Sequence, residues 1–156
     1  MRPIITKIIL CAVMAFACLT ANAQVKEFEK YSDTKNVTYV YISKFMLKLA
    51  GANASPSVPG VNTKSIMNKL TGIQIITSDD KSAAPRLKTD TQNIVKNGKY
   101  ELLMQVDEDE DKVRIYHREG KQQSVVVMLT EEDEETTVIV FSGTFSLDDV
   151  MKMTRN

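Results

Sequence analysis

Hydrophobic and polar positions follow a mixed pattern up to about residue 100 and a strand-like pattern after it. Val37–Ser43 is dense in β-branched and aromatic residues, which predicts a strand. Its nearly continuous apolar character favours a central strand that is buried on both faces. Lys44–Gly51 follows with Phe45, Met46 and Leu49 at helical spacing, so the pattern predicts a short helix there.

Between residues 52 and 100 the pattern predicts a loop, a short helix, a strand and a longer helix. These elements are the loop 52–60, the helix Thr63–Leu70 ended by Gly72, the strand Ile73–Thr77 and the helix Arg86–Asn97. Pro85 suits the first turn of the longer helix, because a backbone N–H needs no helical partner there. Asn97 and Gly98 close this helix.

Four strands and a final helix are predicted after residue 100. The strands are Glu101–Val106, Lys112–Arg118, Ser124–Thr130 and Thr136–Phe141. Their short links imply an antiparallel meander. Ser146 and Asp149 have the spacing of a capping box at the start of the last helix. We therefore expect an α+β fold: one largely antiparallel sheet of about five or six strands, with two to four helices packed on one face and a C-terminal meander followed by a short helix.

The first 23 residues have the pattern of a secretory signal peptide. Two basic residues precede an uncharged apolar run, and an Ala-Asn-Ala site ends at Ala23. The run is too short to favour a retained transmembrane helix. Cleavage between Ala23 and Gln24 would leave a flexible lead over residues 24–36 and a single α+β domain over residues 37–156.

Both cysteines of the chain, Cys11 and Cys18, lie in this leader. The segment after Ala23 therefore has no disulfide, thiol nucleophile or cysteine-bound zinc. Cys18 leaves one alternative open, since a bacterial lipoprotein signal places its lipidated cysteine after a box of small residues. Phe16 fits that box poorly. Contact with a membrane is expected only if Cys18 carries lipid.

Length and composition indicate one globular domain: 156 residues, 43% of them hydrophobic and 26% charged. Lys and Arg number 20, as do Asp and Glu, so electrostatics do not favour a nucleic-acid partner. The basic residues of the second predicted meander strand and its loop are better explained by cross-strand ion pairs than by a phosphate-binding patch. These residues are Lys112, Arg114, Arg118 and Lys121.

His117 is the single histidine and the only candidate for an imidazole base. It shares a predicted strand face with Val113 and Ile115, which favours a partly buried strand residue over a catalytic one. The glycines do not cluster into a phosphate-binding loop, and no G-x-S-x-G serine accompanies His117. We therefore assign no catalytic or cofactor-binding residue and expect a protein that is not an enzyme.

The alternating acids Asp107, Asp109 and Asp111 suggest an oxygen-ligand cation site. Lys112 and Arg118 stand where an EF-hand needs glycine and glutamate, so a solvated hairpin tip is the favoured interpretation and no metal is assigned. A second acidic run covers residues 131–135. Two strands separate the acidic runs, so both tips should lie at one end of the sheet.

Aromatic and sulfur-containing side chains are interpreted mainly as core. Tyr39 and Tyr41 alternate in the first strand, and packing is favoured over a stacking platform for bases. The methionines at apolar positions are Met46, Met67, Met104, Met128, Met151 and Met153. We interpret them as gap-filling core, with an adaptable partner groove near Met151 and Met153 as the lesser alternative.

Four runs of the chain resemble a known exported family. They are Val40–Met46, Leu70–Ile76, Tyr100–Met104 and Val138–Phe145. The chain resembles, over Val37–Met153, the Bacteroidota family of domain of unknown function number 4252. The resemblance implies a location in the cell envelope and supplies no catalytic residues.

We therefore expect an exported, periplasmic or secreted protein that works as a non-enzymatic binding module for another envelope protein or a small ligand. Two alternatives remain: a cation-dependent binder or enzyme that uses the acidic tips, and an outer-membrane lipoprotein anchored through Cys18. Exposed edge strands leave both a monomer and a sheet-edge dimer open.

Overall fold

A six-stranded antiparallel sheet with helices on both faces forms the protein, and the computed structural model describes residues 25–50 and 67–154. The helices are α1 (Lys26–Glu29), α2 (Lys44–Ala50), α3 (Ala83–Asn97) and α4 (Leu147–Thr154), and 3-10 turns cover Lys30–Asp33 and Met67–Lys69. The strands are β1 (Thr38–Ser43), β2 (Leu70–Ser78), β3 (Glu101–Glu108), β4 (Asp111–Arg118), β5 (Ser124–Glu132) and β6 (Glu135–Gly143). Their order in the sheet is β1-β2-β6-β5-β4-β3. The predicted fold class is thus confirmed, including the meander and the helix after it.

Each face of the sheet has its own hydrophobic core. Side chains opposite each other in an antiparallel pair share a face. Face A carries Ile76, Val127 and Val140, and face B carries Ile75, Met128 and Ile139. Helix α3 and the N-terminal helical turns pack on face A, whereas α2 and α4 pack on face B. The helices are therefore divided between the two faces instead of lying on one.

The first strand is an edge strand, and the prediction of a central position for it was wrong. β1 pairs with β2, and β2 uses its other side for β6, so β1 has one strand neighbour. β1 is apolar on both faces because each of its faces contacts one of the two cores. Tyr39 packs on the face A core and Ile42 on the face B core, while Val40 stays 43% exposed.

The second strand begins earlier than predicted. Leu70 and Gly72 belong to β2, so neither ends a helix, and the described residues just before the strand, Met67–Lys69, form a 3-10 turn. The predicted loop 52–60 and the remaining residues of the predicted helix lie outside the described residues. So does the predicted signal peptide, including the cleavage position between Ala23 and Gln24.

Residues 25–33 form helical turns docked on face A, where the sequence predicted part of a flexible lead. Phe28 is fully buried and Tyr31 is nearly so. The buried side chain of Gln74 on β2 binds both backbone groups of Val25. Its Oε1 accepts the Val25 N–H at 2.8 Å, and its Nε2 donates to the Val25 carbonyl at 3.3 Å. Nε2 also donates to the Tyr39 hydroxyl at 3.1 Å. A buried side-chain amide can form the hydrogen bonds that a neighbouring backbone N–H and carbonyl require. The polar composition of the N-terminal segment alone does not reveal this contact.

The capping box predicted for the last helix is confirmed. The Ser146 N–H donates to Asp149 Oδ2 at 2.9 Å, and the Asp149 N–H donates to Ser146 Oγ at 3.3 Å. Lys69 Nζ donates to the same carboxylate at 2.7 Å. The Lys69 hydrogen bond, together with the bonds from Ser146, lowers the pKa of Asp149 to about 2. This cluster joins the start of β2 to the start of α4.

No helix in the part of the chain that the structure describes is long and apolar enough to cross a membrane.

Helix α3 ends in a Schellman motif whose left-handed residue is Lys99 instead of a glycine. The N–H of Tyr100 donates to the Val95 carbonyl at 2.9 Å, and that of Lys99 donates to the Lys96 carbonyl at 3.2 Å. Lys99 has a φ of 55°, whereas Gly98, before it, has a φ of −78°. A β-carbon on Gly98 would lie 2.9 Å from the carbonyl oxygen of Ile94.

We therefore expect Lys99→Gly to stabilise the protein and Gly98→Ala to destabilise it. The first change relieves the left-handed strain of a side chain and should raise the free energy of unfolding by about 0.5–1 kcal/mol. The second forces a clash with the last helical turn. Urea unfolding of both variants tests this pair, and a loss of stability in Lys99→Gly would contradict it.

Candidate binding surface

The two acidic turns lie at the same end of the sheet, as the strand count predicted. Asp109 and Glu110 connect β3 to β4, and Asp133 and Glu134 connect β5 to β6. All four line one surface depression of about 550 Å³. Asp109 and Asp133 have φ angles of 49° and 51°, a conformation that aspartate tolerates better than most side chains.

The alternating aspartates of the first turn do not converge on one point. Asp107 lies opposite Lys112 and makes an ion pair with Arg114 at 3.6 Å, whereas Asp111 lies on the opposite face of the hairpin. Within residues 25–50 and 67–154, no group of three or more His, Cys, Asp or Glu side chains is placed to hold a metal ion.

The basic residues of β4 lie on face A, and Arg114 among them forms cross-strand ion pairs of the kind that the sequence predicted. Arg114 Nη1 lies 3.2 Å from Glu131 Oε1, and Lys88 of α3 lies 2.6 Å from Glu131 Oε2. The Arg118 guanidinium sits over the Tyr100 ring at 4.5 Å. Burial raises the pKa of Tyr100 to about 12, although Arg118 opposes this shift. Lys88, Arg114 and Arg118 are thus engaged with neighbouring side chains on this face.

His117 is buried within the sheet, next to an aromatic ring. It is 3% exposed, lies on face B with Ile115, and its ring is 6.4 Å from the Phe145 ring. Its Nε2 has no hydrogen-bond partner. Burial lowers the pKa of His117, although Glu119 on β4's following loop and Glu101 on β3 act in the opposite direction. The strand-residue interpretation of His117 fits this geometry.

Two rows of face B side chains run across all six strands, and Met128 and Ile115 at the centre of the first row are buried. The first row is Val40, Ile75, Ile139, Met128, Ile115 and Met104. The second is Thr38, Thr77, Thr137, Thr130, Val113 and Val106. Thr77 and Thr137 have hydroxyl oxygens 2.9 Å apart, and each lies within hydrogen-bond distance of Glu135. This field of apolar and threonine side chains is the candidate binding surface.

Exposed apolar side chains are concentrated on the face B side. Nine large hydrophobic residues are exposed among those described, and eight of them belong to face B or to the helices packed on it. The eight are Val40, Phe45, Met46, Leu49, Met104, Val106, Leu147 and Met151. The ninth, Leu102, lies opposite Tyr116 on face A. A one-sided distribution of this kind is typical of an interaction surface.

Three of the methionines predicted as core are exposed instead. Met46, Met104 and Met151 are 53%, 37% and 42% exposed, while Met128 is buried and Met67 half-buried. The side chain of Met153 lies outside the described ones. Tyr39 packs against the face A core, as predicted. A register shift in β3 between Leu102 and Met104 places these two side chains on opposite faces, which strand alternation alone would not indicate.

We expect the stability of the protein to fall with decreasing pH because of His117. Its folded-state pKa lies below the ordinary value of about 6.5, so its neutral form supports the fold above that pH. The contribution is lost as the pH falls from about 6.5 through the folded-state pKa. His117→Leu should therefore flatten the dependence of unfolding free energy on pH between about 7.5 and 5. An unchanged slope in this variant would contradict the assignment, since the chain has no other histidine.

Comparisons with known proteins give one family and one solved structure. No curated protein matches the chain. A Pseudomonas aeruginosa protein of unknown function, PA94, is 11% identical, with 77% of this chain and 76% of that one covered and a TM-score of 0.35. The profile of the family described as domain of unknown function (DUF4252) matches residues 31–153, nearly all of the folded part. The chain therefore belongs to the DUF4252 family.

Proposed function

We propose that this protein is an exported, non-enzymatic binding module that holds a partner protein against face B. The observation that carries the proposal is the one-sided exposure of apolar side chains on face B and its helices. Face A, in contrast, is closed by α3 and the N-terminal turns over the central strands. Leaving so many apolar side chains in water is unfavourable unless a partner covers them.

Export is supported by the order of features at the N-terminus. A basic segment, an apolar run and an Ala-Asn-Ala site precede Gln24, and no cysteine follows. The Gln74 side chain anchors the backbone of Val25, the second residue after the proposed cleavage. Removing residues 1–23 therefore leaves this anchor intact.

The binding proposal is tested with two matched changes on one exposed strand. The full chain, with a C-terminal affinity tag, is expressed in the source bacterium and recovered with its partners from an envelope extract. The double variant Met104→Ser, Val106→Ser removes apolar area from face B, whereas Leu102→Ser removes it from face A of the same strand. We expect the first to lower partner recovery about tenfold and the second to leave it within about twofold, because apolar contacts at an interface centre dominate affinity.

Equal recovery with both variants, or equal loss, would contradict the assignment of binding to face B. Thermal unfolding of each purified variant shows whether it is folded before recovery is compared.

The export proposal is tested by the intact mass of the same purified protein. We expect a chain that begins at Gln24 and carries no added mass, and we expect Cys18→Ser to leave mass and yield unchanged. A product that begins at Cys18 and is heavier by acyl chains would instead establish the lipoprotein alternative. Cys11→Ser is the matched control, since this residue would be removed in either case.

A further inference from the structure

The end of face B beside the acidic turns carries four carboxylates that have no basic partner among the described residues. The last residue pairs of the two hairpins are Glu108 opposite Asp111 and Glu132 opposite Glu135. Strand alternation places all four on face B, next to the threonine row. All four are exposed, and none makes an ion pair with another described residue. We call these four residues the acidic border.

The basic side chains of the strands all lie on the opposite face. Lys112 lies opposite Glu131, Arg114 opposite Leu129 and Arg118 opposite Val125, which places all three on face A. The face B positions of the six strands carry no lysine or arginine, as the strand register and the sequence show. The acids of face A have ion-pair partners, as Glu131 and Asp107 show, whereas those of the acidic border have none among the described residues.

Building on the proposed function, we propose that face B binds a basic amphipathic helix of a partner protein. An apolar and threonine field with an acidic border complements a helix that has an apolar stripe and lysine or arginine along one flank. We infer that the partner is basic from this charge complementarity, because an acidic or purely apolar partner would leave the acidic border without counter-charges.

The dimensions of the surface fit a helix laid across the strands. The three spacings from β6 to β3 amount to about 14 Å, or about three helical turns. The aliphatic row and the acidic border are four residues apart along each strand, about 13 Å, which is close to the width of a helix with its side chains. A helix over the threonine row would therefore contact the partly exposed side chains of that row and reach the border with its basic flank.

Methionines at the edges of the surface suit such a ligand. Met104 on β3 and Met151 on α4 are both partly exposed. Their unbranched, polarisable side chains adapt to different apolar stripes more readily than branched ones. The partner's apolar residues therefore need not match a rigid pocket.

The test uses two synthetic peptides of about 14 residues with one leucine stripe, a length that spans the surface as a helix. One carries lysines on the polar flank, and the other carries glutamates at the same positions. Fluorescence anisotropy measures the binding of each labelled peptide to the purified, tagged full-chain product. We expect the lysine peptide to bind at least about tenfold more tightly, and its affinity to fall as salt rises from about 0.1 M to about 1 M, because screening shortens from about 10 Å to about 3 Å.

Two variants that remove the same number of charges test which carboxylates the lysine peptide contacts. The border variant changes all four carboxylates to amides: Glu108→Gln, Asp111→Asn, Glu132→Gln and Glu135→Gln. The control changes the four turn residues in the same way: Asp109→Asn, Glu110→Gln, Asp133→Asn and Glu134→Gln. Both remove four negative charges at the same end of the sheet. We expect the border variant to weaken lysine-peptide binding about tenfold and the control to weaken it less than about threefold.

The outcomes separate this inference from the proposed function. Equal binding of the two peptides, or equal effects of the two variants, would overturn the basic-helix inference while leaving a partner on face B. The basic-helix inference would also be overturned if neither peptide bound while capture of an envelope protein still depended on Met104. Sedimentation that shows a dimer lost in Met104→Ser, Val106→Ser would overturn it in favour of a second copy of this chain.

Discussion

The pairing of β2 with β6 is the interaction on which the rest of the structure depends. It joins the first strand pair to the meander across about 65 residues of sequence, with Ile73 opposite Phe141 and Ile76 opposite Val138. A loop of this length is costly to close, so buried side chains on both faces must stabilise the pairing. At the start of β2, Lys69 holds this pairing in place. Its carbonyl accepts the Thr144 N–H at 2.9 Å, and its ammonium binds Asp149. A β-carbon on Gly143 would clash with the same Lys69 carbonyl, so the close approach requires glycine there.

This pairing also creates the difference between the two faces. It brings Gln74 into the middle of the sheet, where its side chain anchors Val25 and holds the N-terminal turns on face A. Face A is then covered by those turns and by α3 over the central strands. Face B receives the short helices α2 and α4, and its strands near β3 keep Met104 and Val106 exposed. The acidic border follows from the same alternation, because each hairpin ends on a face B pair.

Local sequence signals were sufficient where short-range physics decides the outcome. The meander, the Ser146–Asp149 cap and the buried position of His117 all follow from alternation, turn residues and capping chemistry. Local sequence signals were insufficient where pairing with a strand distant in the sequence decides the outcome. Val37–Ser43 has the composition of a central strand, yet β1 lies at the edge of the described sheet, where it pairs with β2 alone. Phe45 and Met46 have core-like helical spacing, yet they face away from the sheet on a short helix.

The amino-acid sequence by itself determined the α+β class, the four-strand meander, the placement of both acidic turns at one end and the leader-like character of residues 1–23, because each depends on neighbours in the chain. The tertiary structure alone decided which face of each strand is covered. Alternation assigns side chains to two faces, but only the β2–β6 pairing and the docking of Val25 determine where the helices lie. A candidate surface arises only because the helices leave part of face B uncovered. It consists of the carboxylates of Glu108 and Glu132 and the apolar side chains beside them.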